Sequence, residues 1–374
     1  MDELKIEVWG VFSLTKKQIL IFEIIFFSFF MLLTVFLFSY DFKIHAGNDS
    51  YNFHAKYAKY FSLASTILII IEAQFLWLKF TQAQLELIEK QKSEILEKNR
   101  ILHEQKEKIE YQNQSIRDSL SYASKIQNAL LPSNKKMERL LSDHFIYYKP
   151  RDIVSGDFYW LNEVEDKIVV AAADCTGHGV PGAFVSLLGI SFLNEIVKNS
   201  EKEKYELKPA KILNELREKL ISSIINSEND TETYDGMDIS ICVIDKNEKT
   251  MCFAGALLPI YIVKNSDNDK EIELLQLRGD IFPISMSDFE SFSYTNKKVE
   301  LDEGDIIYMF SDGYADQFGG DKGRKFLSAN FKKLIEDIAK DSLEVQRRKL
   351  HENILSWRGD LKQVDDIMVL GIKI

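Results

Sequence analysis

The chain has 374 residues, long enough for two or three structural units at about 150 residues each. Its net charge of −11 leaves no basic face to neutralise phosphates, which argues against a nucleic-acid partner. The three cysteines, Cys175, Cys242 and Cys252, are odd in number and lack C-x-x-C spacing, so neither a disulfide framework nor a structural zinc site is expected.

Two apolar runs open the chain. The run "ILIFEIIFFSFFMLLTVFL" begins at Ile19, and "FSLASTILIIIEAQFLWLKF" covers Phe61 to Phe80. At a helical rise of about 1.5 Å per residue, each spans a hydrocarbon core of roughly 30 Å, so transmembrane helices are expected at about 19–40 and 61–80. Lys16 and Lys17 precede the first, and Lys79 with many later lysines follows the second. That asymmetry places both ends in the cytoplasm, giving a multi-pass protein of the inner membrane with residues 41–60 facing outward. Glu23 and Glu72 lie within the spans, where an acid is a candidate for pairing or sensing.

From Thr81 to Leu131 there is no proline or glycine, and Ile88, Ile95, Leu102, Ile109, Ile116, Ala123 and Leu130 recur every seven residues. The companion positions are Lys92, Asn99, Lys106, Asn113, Leu120 and Gln127. A seam half polar in this way implies a weak parallel homodimer whose register can shift. His103 followed by Glu104 invites comparison with a phosphoaccepting histidine, but no ATP-binding glycine-rich lid follows. The expected organisation is a membrane region over 1–80, a coiled-coil and switch helix over 81–133, and a catalytic domain over 134–374.

In that last region the pattern becomes short β-type runs at 167–173, 238–245, 251–263, 305–310 and 367–374. Helical periodicity returns at 184–199, 209–226 and 326–357. Strands in runs and helices in pairs predict an α+β domain of antiparallel sheets covered by helices.

Aspartates recur where a strand meets a turn: Asp157 in "SGDFYW", Asp174 in "AAADCTGHG", Asp312 in "YMFSDGYAD", and Asp365 with Asp366 in "VDDIMVL". No lysine or arginine stands beside them in these motifs. Acids gathered in a core raise one another's pKa, and a cation is the usual resolution. Oxygen ligands without histidine or cysteine favour Mg²⁺ or Mn²⁺ over zinc.

The order "ASKIQNALLPS", "SGDFYW", "ADCTGHGVPGA", "DGMDISICVID", "SDGYADQFGG" and "QVDDIMVLGI" resembles the SpoIIE/RsbU branch of the PPM-type, metal-dependent serine/threonine protein phosphatases, over about residues 120–374. The resemblance implies a β-sandwich of two antiparallel sheets flanked by helices, with two Mn²⁺ or Mg²⁺ ions at one edge. It implies that Asp174 bridges both ions, that the backbone carbonyl of Cys175 completes one shell, and that Asp157, Asp312 and one of Asp365 and Asp366 supply the rest. By the same resemblance Asp365 is the ligand of that pair. Catalysis would then use a water activated between two ions, with no protein nucleophile, so the Cys175 thiol has no role.

This sequence departs from the family where an arginine often stands five residues before the first aspartate. That position is Asp152, and Arg151 lies one residue earlier as a candidate phosphate contact. His178 is a candidate proton donor to the leaving oxygen or a residue that shapes its loop. Asp238 is a candidate for a weak third metal or a buried hydrogen bond, and Leu257, Leu258 and Pro259 for an apolar docking lip or ordinary packing. The implied substrate is a phosphorylated regulatory protein, of the anti-sigma-factor antagonist type in the family. The rival readings are a membrane-bound nucleotide cyclase and a non-catalytic signal-transmitting receptor.

Overall fold

The computed structural model describes residues 6–8, 12–14, 25–29, 31–34, 36, 51–203, 207–225, 236–264, 272–285 and 292–374. Much of the first expected span, with Lys16, Lys17 and Glu23, lies outside the described residues, as do residues 41–50 of the link. The chain divides into two compact units, Met1–Ile109 and Glu110–Ile374.

Strands β1 (Ile6–Val8) and β2 (Phe12–Leu14) pair antiparallel. Helix α1 runs unbroken from Tyr51 to Leu130, so the second apolar run and the heptad segment form one helix. The absence of proline and glycine from this stretch permits that continuity. The heptad residues Ile88, Ile95, Leu102, Ile109 and Ile116 are all exposed. Near its end the helix turns a different row inward: Gln127 is buried, while Ala123 and Leu130 are exposed. Leu131, just beyond the helix, is buried as well. The last heptad repeat therefore serves packing within the second unit, and Gln127 is not a seam residue.

Helix α2 (Asn134–Leu140) begins at Ser133, whose side chain accepts a hydrogen bond from the Lys136 amide. Strands β3 (Asp143–Lys149), β4 (Phe158–Val164) and β5 (Lys167–Cys175) follow, then helices α3 (Val180–Glu203) and α4 (Pro209–Ile225). Strands β6 (Met237–Asp245), β7 (Thr250–Ala256), β8 (Ile260–Lys264), β9 (Glu273–Leu277), β10 (Lys297–Glu300) and β11 (Ile306–Phe310) come next. The short α5 (Gly313–Asp316) and the paired β12 (Phe318–Gly319) and β13 (Arg324–Lys325) precede α6 (Ser328–Ile338), α7 (Leu343–Arg358) and β14 (Ile367–Lys373).

Two five-stranded sheets form, in the orders β10-β7-β6-β5-β4 and β3-β14-β11-β8-β9, with every neighbouring pair antiparallel. Period-two alternation along β5 builds the layers. Val169, Ala171 and Ala173 join Ile190, Leu193, Leu213 and Leu216 in a core beneath α3 and α4. Ile168, Val170 and Ala172 join Ile262, Ile307, Met309 and Leu370 in a core between the sheets. A third core packs Tyr308, Val369 and Phe145 against Phe331, Ile335 and Leu350 of α6 and α7.

The expected single run over 251–263 is two strands in different sheets. Leu257 adopts φ 60°, and the Leu258 amide bonds to the Ala256 carbonyl at 2.7 Å, folding the chain tightly. Pro259 cannot donate to a ladder, so the run breaks there and crosses the sandwich. Leu257 is exposed and Leu258 buried, so the expected lip is half packing.

Candidate functional site

Four segments bring their acids to one end of the sandwich. Asp174 is the penultimate residue of β5 and sits opposite Asp238 in the β5–β6 register. Asp157 directly precedes β4, Asp312 directly follows Ser311 at the end of β11, and Asp365 and Asp366 precede β14. The backbone between them is closely packed. A Cβ on Gly156 would meet the Gly177 carbonyl oxygen at 2.7 Å and that of Cys175 at 3.1 Å, so only glycine lets the Ser155–Asp157 loop approach the Cys175–Gly177 turn. Gly177 itself holds φ +82°, a left-handed conformation that side chains resist.

Each carboxylate has a distinct environment. Asp157 is buried, and its Oδ2 accepts a 2.5 Å hydrogen bond from the Ser311 hydroxyl. The Ser311 oxygen in turn accepts from the Met368 amide at 3.1 Å, tying Asp157 across both sheets. Asp366 is also buried and is occupied by backbone: Oδ1 accepts from the Arg151 amide at 2.6 Å and Oδ2 from the Gly156 amide at 2.7 Å. Asp365 is half-buried, and its Oδ1 accepts only from the Asp366 amide, at 2.8 Å. Adjacent residues entering a strand thus differ in their bonding, Asp366 clamping a loop through both oxygens, while both lie close enough to Asp157 to raise its pKa.

Burial pushes the Asp174 carboxyl up to about 10, and the charges of Asp157, Asp312, Asp365 and Asp238 add to the rise. Burial raises Asp157 well above the carboxylate range, against the lowering by Ser311, with Asp366, Asp365 and Asp312 raising it further. Asp312 is raised by burial and by Asp316 and Asp365, and its hydrogen bond with Asp174 acts the other way. Burial also raises Asp365, and it lifts Asp238 to about 6. Among the described residues, Asp157, Asp174, Asp238, Asp312, Asp365 and Asp366 form no ion pair with a lysine or arginine, whereas Asp316 pairs with Lys325. No group of three or more Asp, Glu, His or Cys side chains there stands ready to enclose an ion as it is. The donor chemistry of the acids fits Mg²⁺ or Mn²⁺: hard oxygens, with negative charge that the nearby Arg151, His178 and Lys325 lower without forming an ion pair to these acids.

The other expected residues lie around this set. Burial pushes the Cys175 thiol well up, so it is no thiolate nucleophile. Arg151 donates from its guanidinium to the Val364 carbonyl at 2.8 Å. His178 Nδ1 lies 3.1 Å from Asp152 Oδ2, so the aspartate at the family's arginine position engages the histidine instead.

Two contributors, Ser311 and Gln127, are not evident from sequence motifs, and the loop-clamping role of Asp366 is not either. The hydrogen bonds of Ser311 and Asp366 depend on the sheets meeting. Gln127 donates to the Ser155 carbonyl at 2.6 Å and to Ser186 Oγ at 2.9 Å, and accepts from the Ser155 amide at 3.1 Å. It therefore braces the loop that carries Asp157.

The family model of Stage II sporulation protein E (SpoIIE) matches residues 165–374. The chain is 23% identical over 261 residues to phosphoserine phosphatase RsbU of Bacillus subtilis, covering 70% of this chain and 71% of RsbU. It is similar to the solved structure of the SiaA-PP2C domain of Pseudomonas aeruginosa, at 31% identity and a TM-score of 0.60, covering 70% of this chain and 97% of that domain.

Proposed function

The chain belongs to the SpoIIE family and is a phosphatase of the PPM type, and on that premise we propose that it hydrolyses phosphoserine or phosphothreonine on a regulatory protein at the Asp157, Asp174, Asp312 and Asp365 set. The observation that carries the reading is a group of mutually repelling carboxylates, Asp157 buried, Asp174 and Asp365 half-buried and Asp312 at the surface, none ion-paired with a lysine or arginine among the described residues. RsbU, a phosphoserine phosphatase by name, supports the choice of substrate class.

When bound, two Mn²⁺ or Mg²⁺ ions supply the means to ionise a water near neutral pH and to neutralise charge on the phosphoryl oxygens. The side chains of Asp157, Asp174, Asp312 and Asp365, with the Cys175 carbonyl, hold that charge at the sandwich end. Ser311 fixes the Asp157 carboxylate, and Asp366 fixes the loop from Arg151 to Gly156. Arg151, near the acids, offers a phosphate contact, and His178, oriented by Asp152, is placed to donate a proton or order its loop.

We place the apolar part of α1 in a membrane, with the phosphatase domain in the cytoplasm, and its exposed heptad row against a second copy. The test is phosphate release by the detergent-solubilised chain from phosphoserine, phosphothreonine and phosphotyrosine peptides with Mn²⁺, Mg²⁺ or chelator. Metal-dependent release from the first two is expected. Folded protein that releases none, and makes a cyclic nucleotide from ATP or GTP, would transfer the reading to a cyclase.

A further inference from the structure

Among the described residues strand β3 ends its sheet: it bonds to β14 on one side and to no strand on the other. An edge of this kind presents backbone N–H and C=O groups that another extended segment can pair with. Beside it lies α7, and the two line a groove of about 440 Å³.

The groove is cationic in a chain that is strongly acidic overall. Lys149, Arg347 and Arg348 line it against a single carboxylate, Glu344, with His351 and Tyr147 alongside. Arg347 has no ion pair or hydrogen bond among the described residues. Arg348 reaches only Glu352, at 3.9 Å between two exposed side chains, a contact worth little in water. Beneath, Arg358 shares a small adjoining cleft with Lys149, and its Nε is buried without a hydrogen-bond partner. Burial and the charge of Arg358 both lower the Lys149 pKa, as a cation short of an anion would show.

The groove also communicates with the acid set by bonding. The Tyr148 hydroxyl of β3 donates to the Asp157 carbonyl at 3.0 Å, and two residues past the strand the Arg151 amide is held by Asp366. A segment paired with β3 would therefore lie along the strand that braces the loop of Asp157.

We propose that the groove between β3 and α7 binds an extended acidic segment of the protein substrate as an added strand. Backbone pairing with β3 supplies register, and alternate acidic side chains meet Arg347, Arg348 and Lys149, since side chains of a strand project to one face at every second residue. Arginine is suited to the task because its planar fork binds a carboxylate through two donors. This proposal rests on the phosphatase reading, because it names the partner as the substrate.

The experiment uses the full chain in detergent micelles and, as probe, a fluorescein-labelled octapeptide of alternating Thr and Glu, followed by anisotropy. Wild type is expected to bind it with Kd below about 1 mM, and the Arg347→Glu, Arg348→Glu double variant at least about tenfold more weakly. The Thr-Lys counterpart should not bind, and a Thr-Glu peptide N-methylated at alternate amides should bind weakly. Mn²⁺-dependent hydrolysis of p-nitrophenyl phosphate, which has no segment to lie in the groove, should stay within about twofold of wild type in the double variant. Equal peptide affinity in wild type and variant, no binding by wild type, or equal affinity for Thr-Lys and Thr-Glu peptides would overturn the proposal. So would a change of oligomeric state without loss of peptide binding, because the occupant would then be a second copy. Failure of wild type to hydrolyse p-nitrophenyl phosphate would count against the phosphatase reading and leave the binding result readable on its own.

Discussion

Among the described residues, two helical segments are long and apolar enough to cross a membrane, and their surroundings are opposite. The segment Val180–Ser200 in α3 is half buried, because Ile190, Leu193, Ile196 and Val197 pack onto the sheet formed by β4 to β7. The apolar part of α1 has nothing over it: Phe61 is 74% exposed and Trp77 67%. Hydrophobicity says only that a segment must leave water. Whether the chain itself supplies the cover is decided by sheets remote in sequence. The sandwich completes its apolar pattern internally, whereas the apolar run and the heptad row of α1 are exposed.

Changing the acid set should break the sandwich side of this contrast most severely. Asp174→Asn is expected to lower Mn²⁺-dependent turnover by about 10³-fold or more, equivalent to about 4 kcal/mol of transition-state stabilisation. The same variant should melt no lower than wild type in chelator, since it removes a charge whose burial is unfavourable. A lower melting temperature would show that the carboxylate serves the fold.

The neighbouring pair before β14 should separate by kind. Asp365→Asn should abolish most turnover with little change in melting. Asp366→Asn leaves two backbone donors poorly matched, so it should cost about 1–3 kcal/mol of stability while keeping substantial turnover at saturating Mn²⁺. Rates in the reverse order would exchange their roles.

A pH series sharpens the electrostatic part. Folding raises the carboxyl pKa of Asp174 to about 10 and of Asp238 to about 6, both above the ordinary aspartate value of about 3.9. The folded state therefore holds protons more tightly than the unfolded chain, and this contribution to metal-free stability is present below about pH 4 and lost as pH rises toward those values. Bound cations compete with the same protons, so the Mn²⁺-induced rise in melting temperature should be larger at about pH 8 than at about pH 5. An equal rise at both would place the ion away from these acids.

The smallest effect is expected on the helix. Replacing Asn99 and Asn113, both exposed, with Leu should tighten self-association by about tenfold or more without altering the melting of the sandwich. Unchanged association by analytical ultracentrifugation would count against the heptad row as an interface.

Much of this was legible along the chain because it is local. The Val- and Ile-rich run "KIVVAAA" and the period of the α3 and α4 segments located elements, and the strand-end aspartates are the acids that the two sheets bring to one end. What escaped reading depends on contacts between distant segments. The run at 251–263 looks like one strand, since only the left-handed Leu257 and the two sheets decide that it crosses over. Gln127 fits the heptad spacing, yet Ser155 and Ser186 claim it. The family's arginine position holds Asp152, which meets His178, while the Arg151 guanidinium donates to the Val364 carbonyl.

Phosphate release should depend on divalent ions bound by the acid set. Titrating Mn²⁺ into the purified chain, with bound metal and phosphate release from a phosphoserine protein measured on the same samples, tests this for wild type and Asp174→Asn. Both quantities should saturate together in wild type and be lost together in the variant. Phosphate release that persists in chelator, or that survives Asp174→Asn with metal binding unchanged, would contradict the claim.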